Sequence, residues 1–295
     1  MPTVRGQFAQ LLAPGLAEVM LSYLKEFPEE YSQFLNVSTM DSAYDEDQLL
    51  AGTGLARLKP EGESIAYDEP IQGGTKRYIA VAYAIGWSVT REMIKDDRYG
   101  IMREIPGELM KGCRQTWEQI GANLLNLGFT TVTSIDGLPA FSAVHDLLGG
   151  GTASNLLSPA TTLSVTAVQD ILLLYEGTVN ERGLKMRISP DTLWIPPDLQ
   201  FKAAEIFQSS FKPYTGNNEI NPIQGRLTPK VLHFLTDTNN WFVSSKELNK
   251  FKLKWREKPV VDSTDDFDTK GSKHSIYFRI AANVGEWRGW AASNP

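Results

Sequence analysis

The sequence has a single cysteine, Cys113, among 295 residues. One cysteine excludes an intrachain disulfide and any metal site built from several cysteines. No apolar run approaches the length of a membrane span, and the N-terminus has neither the apolar stretch nor the cleavage site of a signal peptide. These absences predict a protein from a reducing, cytoplasmic compartment with no membrane partner. The net charge of −6 also argues against a protein that grips DNA by its phosphates.

Residues in catalytic or metal-binding spacings are also scarce. The three histidines, His145, His233 and His274, do not form a metal-binding motif. The glycine run 149–151 lacks the lysine and the strand–loop–helix frame of a phosphate-binding loop. A hydrolase that uses His145 and an acidic neighbour stays open as an alternative. The sequence otherwise predicts no catalytic residue, no cofactor and no metal site.

The longest regular pattern is a strand that leads into a helix. Large and small residues alternate over residues 77–89, which predicts a strand of about 43 Å. Residues 99–127 then repeat apolar positions every three or four residues, which predicts a helix of about the same length, kinked or restarted at Pro106. The residues predicted for its buried stripe are Leu109, Cys113, Trp117, Ile120 and Leu124. Elements this long predict an extended subunit rather than a compact globule.

A projecting hairpin is predicted before this helix. Glycines and prolines surround a short strand pattern at residues 64–68, and the long strand follows. A two-stranded ribbon is marginally stable in water, so its apolar side chains are expected to contact another molecule. The predicted inter-subunit contacts here are Ile65, Tyr67, Lys76, Ile79 and Val81. An ordinary antiparallel sheet remains the alternative.

The N-terminal residues 1–45 are predicted to form an arm. Leu16, Val19 and Tyr23 lie on one face of a short amphipathic helix, and a second short helix follows Pro28. The arm is expected to pack on neighbouring subunits through these three residues. A surface helix pair followed by a solvated acidic loop, around Asp45 and Asp47, is the alternative.

The rest of the chain mixes helices and strands. One helix is predicted over residues 164–179 with Ser164 as its N-cap, and another is predicted to follow Asp198, which would be its cap. Residues 231–235 and 241–243 are predicted to pair as a hairpin, and an acidic loop is expected over residues 262–273. The other predicted strands are residues 129–133, 192–195, 251–255 and 275–280. This mixture predicts an α+β fold.

Several motifs, taken in order, resemble the major capsid proteins of tailed bacteriophages. The first is the run from Gly74 to Met102, with Gly86-Trp-Ser-Val-Thr-Arg-Glu-Met93 at its centre. The later ones are residues 136–145 with the glycine-rich loop behind them, Leu193-Trp-Ile-Pro-Pro-Asp-Leu199, and Trp287-Arg-Gly-Trp290. Together they are similar to the Mu-like major head subunit family, which has the Hong Kong 97-type capsid fold.

The resemblance implies a particular division of the chain. The fold has an N-terminal arm, an extended β-hairpin called the E-loop, a P-domain with a long spine helix and long antiparallel strands, and an α+β A-domain. The implied regions are the arm at 1–45, the E-loop at 46–86, the P-domain with the spine helix at 87–134, the A-domain at 135–245, and the returning P-domain strands with the C-terminus at 246–295.

The resemblance also implies a function. A structural protein, not an enzyme, would self-assemble as hexamers and pentamers into the icosahedral head of a tailed phage or prophage. Its implied partners are copies of itself, a separate scaffolding protein, a portal, a maturation protease and packaged double-stranded DNA that is held without sequence-specific binding. It would be assembled in the host cytoplasm and end in the virion. A tail or baseplate protein remains an alternative, and no crosslink through Lys76 is predicted.

Overall fold

The computed structural model of the chain describes residues 29–96, 105–213, 219–266, 268 and 271–295. The helices are α1 (Tyr31–Phe34), α2 (Arg91–Asp96), α3 (Ile105–Asn126), α4 (Val165–Gly177) and α5 (Gln200–Gln208). The strands are β1 (Asn36–Thr39), β2 (Tyr44–Ala51), β3 (Ile71–Ile79), β4 (Val81–Val89), β5 (His145–Asp146), β6 (Thr152–Ala153), β7 (Thr192–Ile195), β8 (Thr228–Val231), β9 (Trp241–Ser244), β10 (Phe251–Asp265), β11 (Ser272–Val284) and β12 (Trp290–Ser293). No helix within the described ranges is long and apolar enough to cross a bilayer.

The chain divides into two compact units. Unit 1 contains the described residues up to Tyr44, Tyr78–Gly121 and Leu253–Ala282. Unit 2 contains Asp45–Arg77, Ala122–Lys252 and Asn283–Pro295. Both units mix helices with strands, as the α+β prediction requires.

Unit 1 is built on a four-stranded sheet with the order β1-β10-β11-β4. β11 and β4 are antiparallel, and Phe278 lies opposite Tyr83. Helix α3 packs on one face of this sheet, where the Trp117 ring meets Trp255 and Phe278 edge-on, each at 5.4 Å between ring centres. The inward-facing side chains of β10 and β11 and the apolar stripe of α3 thus pack together in one aromatic core.

The predicted helix is present, with its apolar stripe shifted. Helix α3 begins at Ile105, so Pro106 lies in its first turn, where a missing N–H costs nothing. Residues 97–104, which include the predicted start, lie outside the described residues. Of the five predicted residues, Cys113, Trp117 and Leu124 are buried, while Leu109 and Ile120 are only half-buried. Met110, which was not predicted, is fully buried.

The predicted continuous strand over residues 77–89 is divided in two. β3 pairs with β2, and β4 pairs with β11. Between them the Ala80 N–H donates to the Ala43 carbonyl at 3.1 Å. The alternation of large and small side chains continues through this point, so the sequence pattern does not reveal the change of partner.

The partner of β3 was also predicted wrongly. Residues 64–68 have no regular secondary structure, and the strand paired with β3 is the acidic stretch Tyr44–Ala51. Asp45, Asp47 and Leu49 alternate as half-buried positions on this strand. The Asp47 carboxylate forms an ion pair with the Lys252 ammonium at 2.6 Å, which compensates for the partial burial of the carboxylate. Because that lysine is remote in sequence, no local pattern distinguishes this acidic strand from a solvated loop.

Unit 2 contains a second four-stranded sheet, with the order β12-β9-β7-β8. β7 runs parallel to β8 and antiparallel to β9, so it lies between these two strands. The hairpin predicted from residues 231–235 and 241–243 is therefore absent: β9 covers its second strand, but β8 ends at Val231 and residues 232–235 are not a strand. Helices α4 and α5 pack on this sheet around one apolar core that includes Ile171, Ile206 and Trp241. The predicted strand at residues 129–133 is a series of turns, joined to Pro139 by a single bridge at Thr133.

The predicted helix caps had different outcomes. The Ser164 hydroxyl accepts the Ala167 N–H at 3.1 Å, which confirms it as the N-cap of α4. Asp198 lies inside a short 3₁₀ turn, Pro197–Leu199, and does not cap α5. The acidic loop is also shorter than predicted, because β10 continues as strand through Asp265 and β11 begins at Ser272.

Candidate functional site

Among the described residues of unit 2, the two most exposed large apolar side chains lie in residues 52–70, between β2 and β3. This segment has no regular strand or helix apart from a turn at Glu61-Gly62, where Gly62 has φ of +85°. Leu58 is 95% exposed and Tyr67 is 93% exposed, and Leu55 and Ile65 are also exposed. Large apolar side chains clustered in this way mark an interaction surface. We call residues 52–70 the projecting segment.

The base of the projecting segment is tied to unit 2 by Asp68. Its carboxylate accepts the Gly54 N–H at 2.6 Å and pairs with the Arg182 guanidinium at 3.0 Å. The Gly54 N–H, followed by Arg182, holds the pKa of Asp68 below its ordinary value. Arg182 also donates to the Glu69 carbonyl. The two ends of the segment are thereby joined, and its apolar tip remains in solvent.

Strand β3 continues this anchoring through close backbone packing. A side chain at Gly73 would meet Leu148 at 2.8 Å, and one at Gly74 would meet the Ile135 carbonyl oxygen at 2.6 Å. The Lys76 ammonium donates to the Thr133 carbonyl at 2.6 Å and to the Thr133 hydroxyl at 2.8 Å. Burial lowers the pKa of Lys76, although the charge of Asp136 opposes this.

The predicted contact residues lie in different surroundings. Ile65, Tyr67, Ile79 and Val81 are all exposed on the isolated chain. Lys76 is half-buried and already bonded to Thr133 of its own chain. The other three predicted contacts, Leu16, Val19 and Tyr23, lie outside the described residues. The Asp68–Arg182 tether was not predicted, because 114 positions separate its partners and no local pattern marks them.

His145, the residue of the hydrolase alternative, lies at the centre of a buried polar cluster. Its Nδ1 is 2.5 Å from the Asp136 carboxylate and its Nε2 is 3.0 Å from Asn155 Oδ1. Asn155 uses its Nδ2 to donate to the Ala140 and Trp290 carbonyls, which fixes Oδ1 as the acceptor. The imidazole therefore faces an acceptor at both nitrogens.

The cluster extends through Trp287. The His145 ring stacks on the Trp287 ring at 4.1 Å, and the Arg288 guanidinium lies 4.5 Å from the same ring. Arg288 is buried and pairs with Glu181 at 2.6 Å and with Glu286 at 2.7 Å. Glu181 in turn accepts the Leu148 N–H at 3.0 Å. This network fixes the turn that contains Arg182, and so it also positions the tether of the projecting segment.

This geometry does not suit His145 for acid–base catalysis. A general base needs a free lone pair within reach of its substrate. His145 has no exposed surface, and each of its ring nitrogens is occupied by an acceptor from its own chain. Within the described residues, no group of three or more His, Cys, Asp or Glu side chains could hold a metal ion. The arrangement is suited to holding three loops together.

Solved capsid structures share this fold. The capsid of cyanophage P-SCSP1u matches with a TM-score of 0.59 at 10% identity, over 90% of this chain and 87% of that one. The chain of Microbacterium phage Oxtober96 matches with a TM-score of 0.57 at 14% identity, over 91% and 93%. The procapsid of bacteriophage JBD30 matches with a TM-score of 0.56 at 14% identity, over 99% and 76%. The fold is therefore a viral capsid fold.

The family follows from the sequence. The family of phage capsid proteins matches residues 74–293, which is most of the chain. No curated protein matches the chain by sequence. The chain belongs to the phage capsid protein family, and its family and fold together are those of a bacteriophage major capsid protein, a structural component of the virion.

Proposed function

We propose that the chain is a major capsid subunit of the Hong Kong 97 type, with motifs similar to those of the Mu-like head subunits. Copies assemble as hexamers and pentamers into the icosahedral head of a tailed phage or prophage, around double-stranded DNA. The observation that carries this proposal is the family match over residues 74–293. The exposed apolar tip of the projecting segment supports it, because a subunit that works alone gains nothing from such a surface.

The regions of the fold are assigned in the same proposal. Residues 1–45 are the N-terminal arm, 46–86 the E-loop, 87–134 the P-domain with α3 as its spine helix, 135–245 the A-domain, and 246–295 the returning strands and C-terminus. The tethered projecting segment at 52–70 supports the E-loop assignment, and the packing of α3 on the long strands β10 and β11 supports the P-domain assignment.

The proposed partners follow from this role. Copies of the chain are the principal partner, through the contacts predicted at Ile65, Tyr67, Ile79 and Val81. A separate scaffolding protein, a portal and a maturation protease complete the assembly, which takes place in the host cytoplasm. DNA is enclosed without sequence-specific binding, in keeping with the net charge of −6. The protein acts by association, and the burial and hydrogen bonding of His145 support a structural role for that residue.

Electron microscopy of the purified full chain tests the proposal. We expect closed shells from the native chain, and none from Leu58→Ser, because the apolar tip of the projecting segment is lost. Leu173→Ser is the matched control, since Leu173 is also a strongly exposed leucine but lies on α4. Circular dichroism should show both variants folded.

Each outcome decides something. Rings or tubes formed by the native chain would replace the head protein with the tail or baseplate alternative. Normal shells from Leu58→Ser would contradict the assembly role of the projecting segment. Loss of shells from Leu173→Ser alone would move that role to α4.

A further inference from the structure

The surroundings of the Asn155 side chain allow it one orientation. Its Nδ2 donates to the Ala140 carbonyl at 2.8 Å and to the Trp290 carbonyl at 3.1 Å. Its Oδ1 accepts the Ser142 N–H at 2.9 Å and lies 3.0 Å from Nε2 of His145. In the flipped orientation the amide oxygen would face two carbonyl oxygens, and three hydrogen bonds would be lost. Nε2 of His145 therefore faces a fixed acceptor and carries a proton.

The second ring nitrogen of His145 faces an acceptor as well. Nδ1 lies 2.5 Å from Oδ2 of Asp136, a distance at which two lone pairs cannot face each other, so a hydrogen lies between the two atoms. The other carboxylate oxygen accepts the Leu138 N–H at 3.1 Å. The carboxylate thus acts as an acceptor at both oxygens. The hydrogen is therefore assigned to Nδ1, and the ring carries a proton on each nitrogen.

A ring with two protons holds one proton more than the histidine of an unfolded chain at neutral pH. An ordinary histidine has a pKa of about 6.5, and above that pH it is mainly a neutral ring with one N–H and one lone pair. The neutral ring does not fit this site, because its lone pair would face either the Asp136 carboxylate or the Asn155 amide oxygen. Water cannot relieve that contact, since the side chains of His145 and Asp136 are 0% and 8% exposed.

The Trp287 side of the ring brings no excess positive charge. The His145 and Trp287 rings stack at 4.1 Å, and the Arg288 guanidinium lies 4.5 Å from the Trp287 ring. Arg288 pairs with Glu181 at 2.6 Å and with Glu286 at 2.7 Å, so two carboxylates offset its single charge. Arg288 therefore does not drive the extra proton off the ring.

On the other sides of the ring, Lys76 is a cation that competes with it. Burial lowers the pKa of Lys76, which lies on β3, and the charge of Asp136 opposes this lowering. Strand β6 places Ala153 opposite His145 and adds no charge there, and Asp146, the next residue of β5, is exposed. Asp136 is thus the anion in contact with the ring, while Lys76 competes for the same carboxylate.

We propose that Asp136 and His145 form a proton-dependent link, which holds both ring protons at neutral pH and loses one of them at alkaline pH. Without that proton two acceptors face each other inside unit 2, and the junction of the loops around Asp136, His145 and Asn155 is destabilised. This pair should therefore limit the stability of unit 2 at high pH. The inference concerns the folded subunit and does not depend on the proposed function.

The pH dependence of the link has a definite direction. Below about pH 6.5 the unfolded chain also binds the histidine proton, so the contribution of the link to stability is fully present. Above that pH the folded chain binds one proton more than the unfolded chain, and the unfolding equilibrium constant rises by up to about tenfold per pH unit. The rise ends where the folded pair releases its proton.

Nitrogen NMR of the full chain with ¹⁵N-labelled histidine tests the assignment directly. The sequence has three histidines, so the chain with His233→Gln and His274→Gln reports on His145 alone. We expect two protonated ring nitrogens at pH 8, where an ordinary imidazole has one bare nitrogen with a widely different shift. The same signals should be present in the native chain. One bare nitrogen on His145 at that pH would overturn the inference.

Asp136→Asn separates the extra proton from the rest of the link. The new amide can accept the Leu138 N–H through its oxygen and donate to His145 Nδ1 through its nitrogen, so a neutral ring has all its hydrogen bonds. In urea unfolding at pH 7, 8 and 9, the unfolding constant of the native chain should rise by up to about tenfold per pH unit relative to that of this variant. Other titrating groups are the same in both chains and cancel in the comparison.

Asp146→Asn is the matched control, because it removes the neighbouring charge at an exposed position of β5. This variant should keep the pH dependence of the native chain. The inference fails if the native chain and Asp136→Asn have parallel pH curves, or if the control loses the pH dependence as well. Neither measurement needs closed shells, so contradiction of the head assignment leaves the link in place, and failure of the link leaves the head assignment untouched.

Discussion

Apolar side chains are usually buried and charged ones exposed, but two regions of unit 2 depart from this: the His145 cluster and the projecting segment. The cluster buries charged groups, with Arg288 between Glu181 and Glu286 and the His145 imidazole against Asp136. The projecting segment exposes large apolar groups, with Leu58 and Tyr67 almost entirely in solvent. The buried charges have their partners within the chain, whereas the exposed apolar side chains have none in the described residues.

This difference separates what stabilises the subunit from what the subunit offers to others. A buried charge is tolerated only when it is paired and hydrogen-bonded, so the cluster must be complete before the fold is stable. An exposed apolar side chain contributes little to the stability of the fold. When another surface covers it, its removal from water contributes favourable free energy to association. Changes in the two regions should therefore affect different measurements.

The largest expected effect comes from breaking the cluster with Arg288→Met. The change leaves Glu181 and Glu286 buried without their cation and removes the guanidinium from the Trp287 ring. Removing one partner of a buried pair costs about 3–5 kcal/mol of unfolding free energy. Urea unfolding measures this loss. The control is Arg187→Met at an exposed position, which should change the unfolding free energy by about 0.5 kcal/mol or less. A loss at Arg288 no larger than the control would mean that the cluster is not a stabilising unit.

A smaller effect should appear at a buried acid in unit 1, Glu118. Its carboxylate accepts the N–H groups of Glu30 and Tyr31 at 3.1 and 2.8 Å, but desolvation raises its pKa above the ordinary value of 4.5. At a pH between 4.5 and the raised pKa of Glu118, the folded protein binds more protons than the unfolded chain. Stability from this group is therefore present below pH 4.5 and is lost as the pH rises through the raised pKa.

Glu118→Gln makes this pH dependence measurable, because glutamine does not titrate. The unfolding free energy of the native chain should fall relative to that of the variant across the window, by about 1.4 kcal/mol per unit of pKa shift. Urea unfolding from pH 4 to pH 7 gives both curves. Parallel curves would show that the carboxylate titrates as it does in water.

The smallest expected effect concerns the tether of the projecting segment. Asp68→Asn keeps an acceptor for the Gly54 N–H but removes the charge that pairs with Arg182. We expect an unchanged melting temperature and faster hydrogen exchange at the Gly54 amide. Because the pKa of Asp68 is lowered, the same loosening should occur in the native chain as the pH falls through that pKa. A lower melting temperature would mean that the tether supports the whole unit.

Local patterns predicted those features whose causes lie close together in sequence. The Ser164 cap needs only Ala167, three residues away, and most of the buried stripe of α3 follows from helical spacing. Ile65 and Tyr67 are exposed as predicted, within a short stretch that is rich in turn residues, although the strand predicted for them is absent. In each case the neighbours along the chain decide the result.

The failures have causes that are remote in sequence. The acidic strand β2 depends on Lys252, which lies 205 positions from Asp47. The hairpin predicted for residues 231–243 fails because β8 already ends at Val231, and because β7, from an earlier part of the chain, lies between β8 and β9. His145 was marked as a candidate, yet its role depends on Trp287 and Asn155, which no motif linked to it. A single sequence contains no signal for such pairings.

The position of Cys113 has a practical consequence for chemical labelling. It is the only cysteine of the sequence, it is buried on α3, and burial raises the pKa of its thiol to about 11. A thiol in this state reacts slowly with maleimides at neutral pH. A cysteine introduced at the exposed Ser64 would then be the one reactive group on each subunit, so a fluorophore could be attached there without first removing the native cysteine.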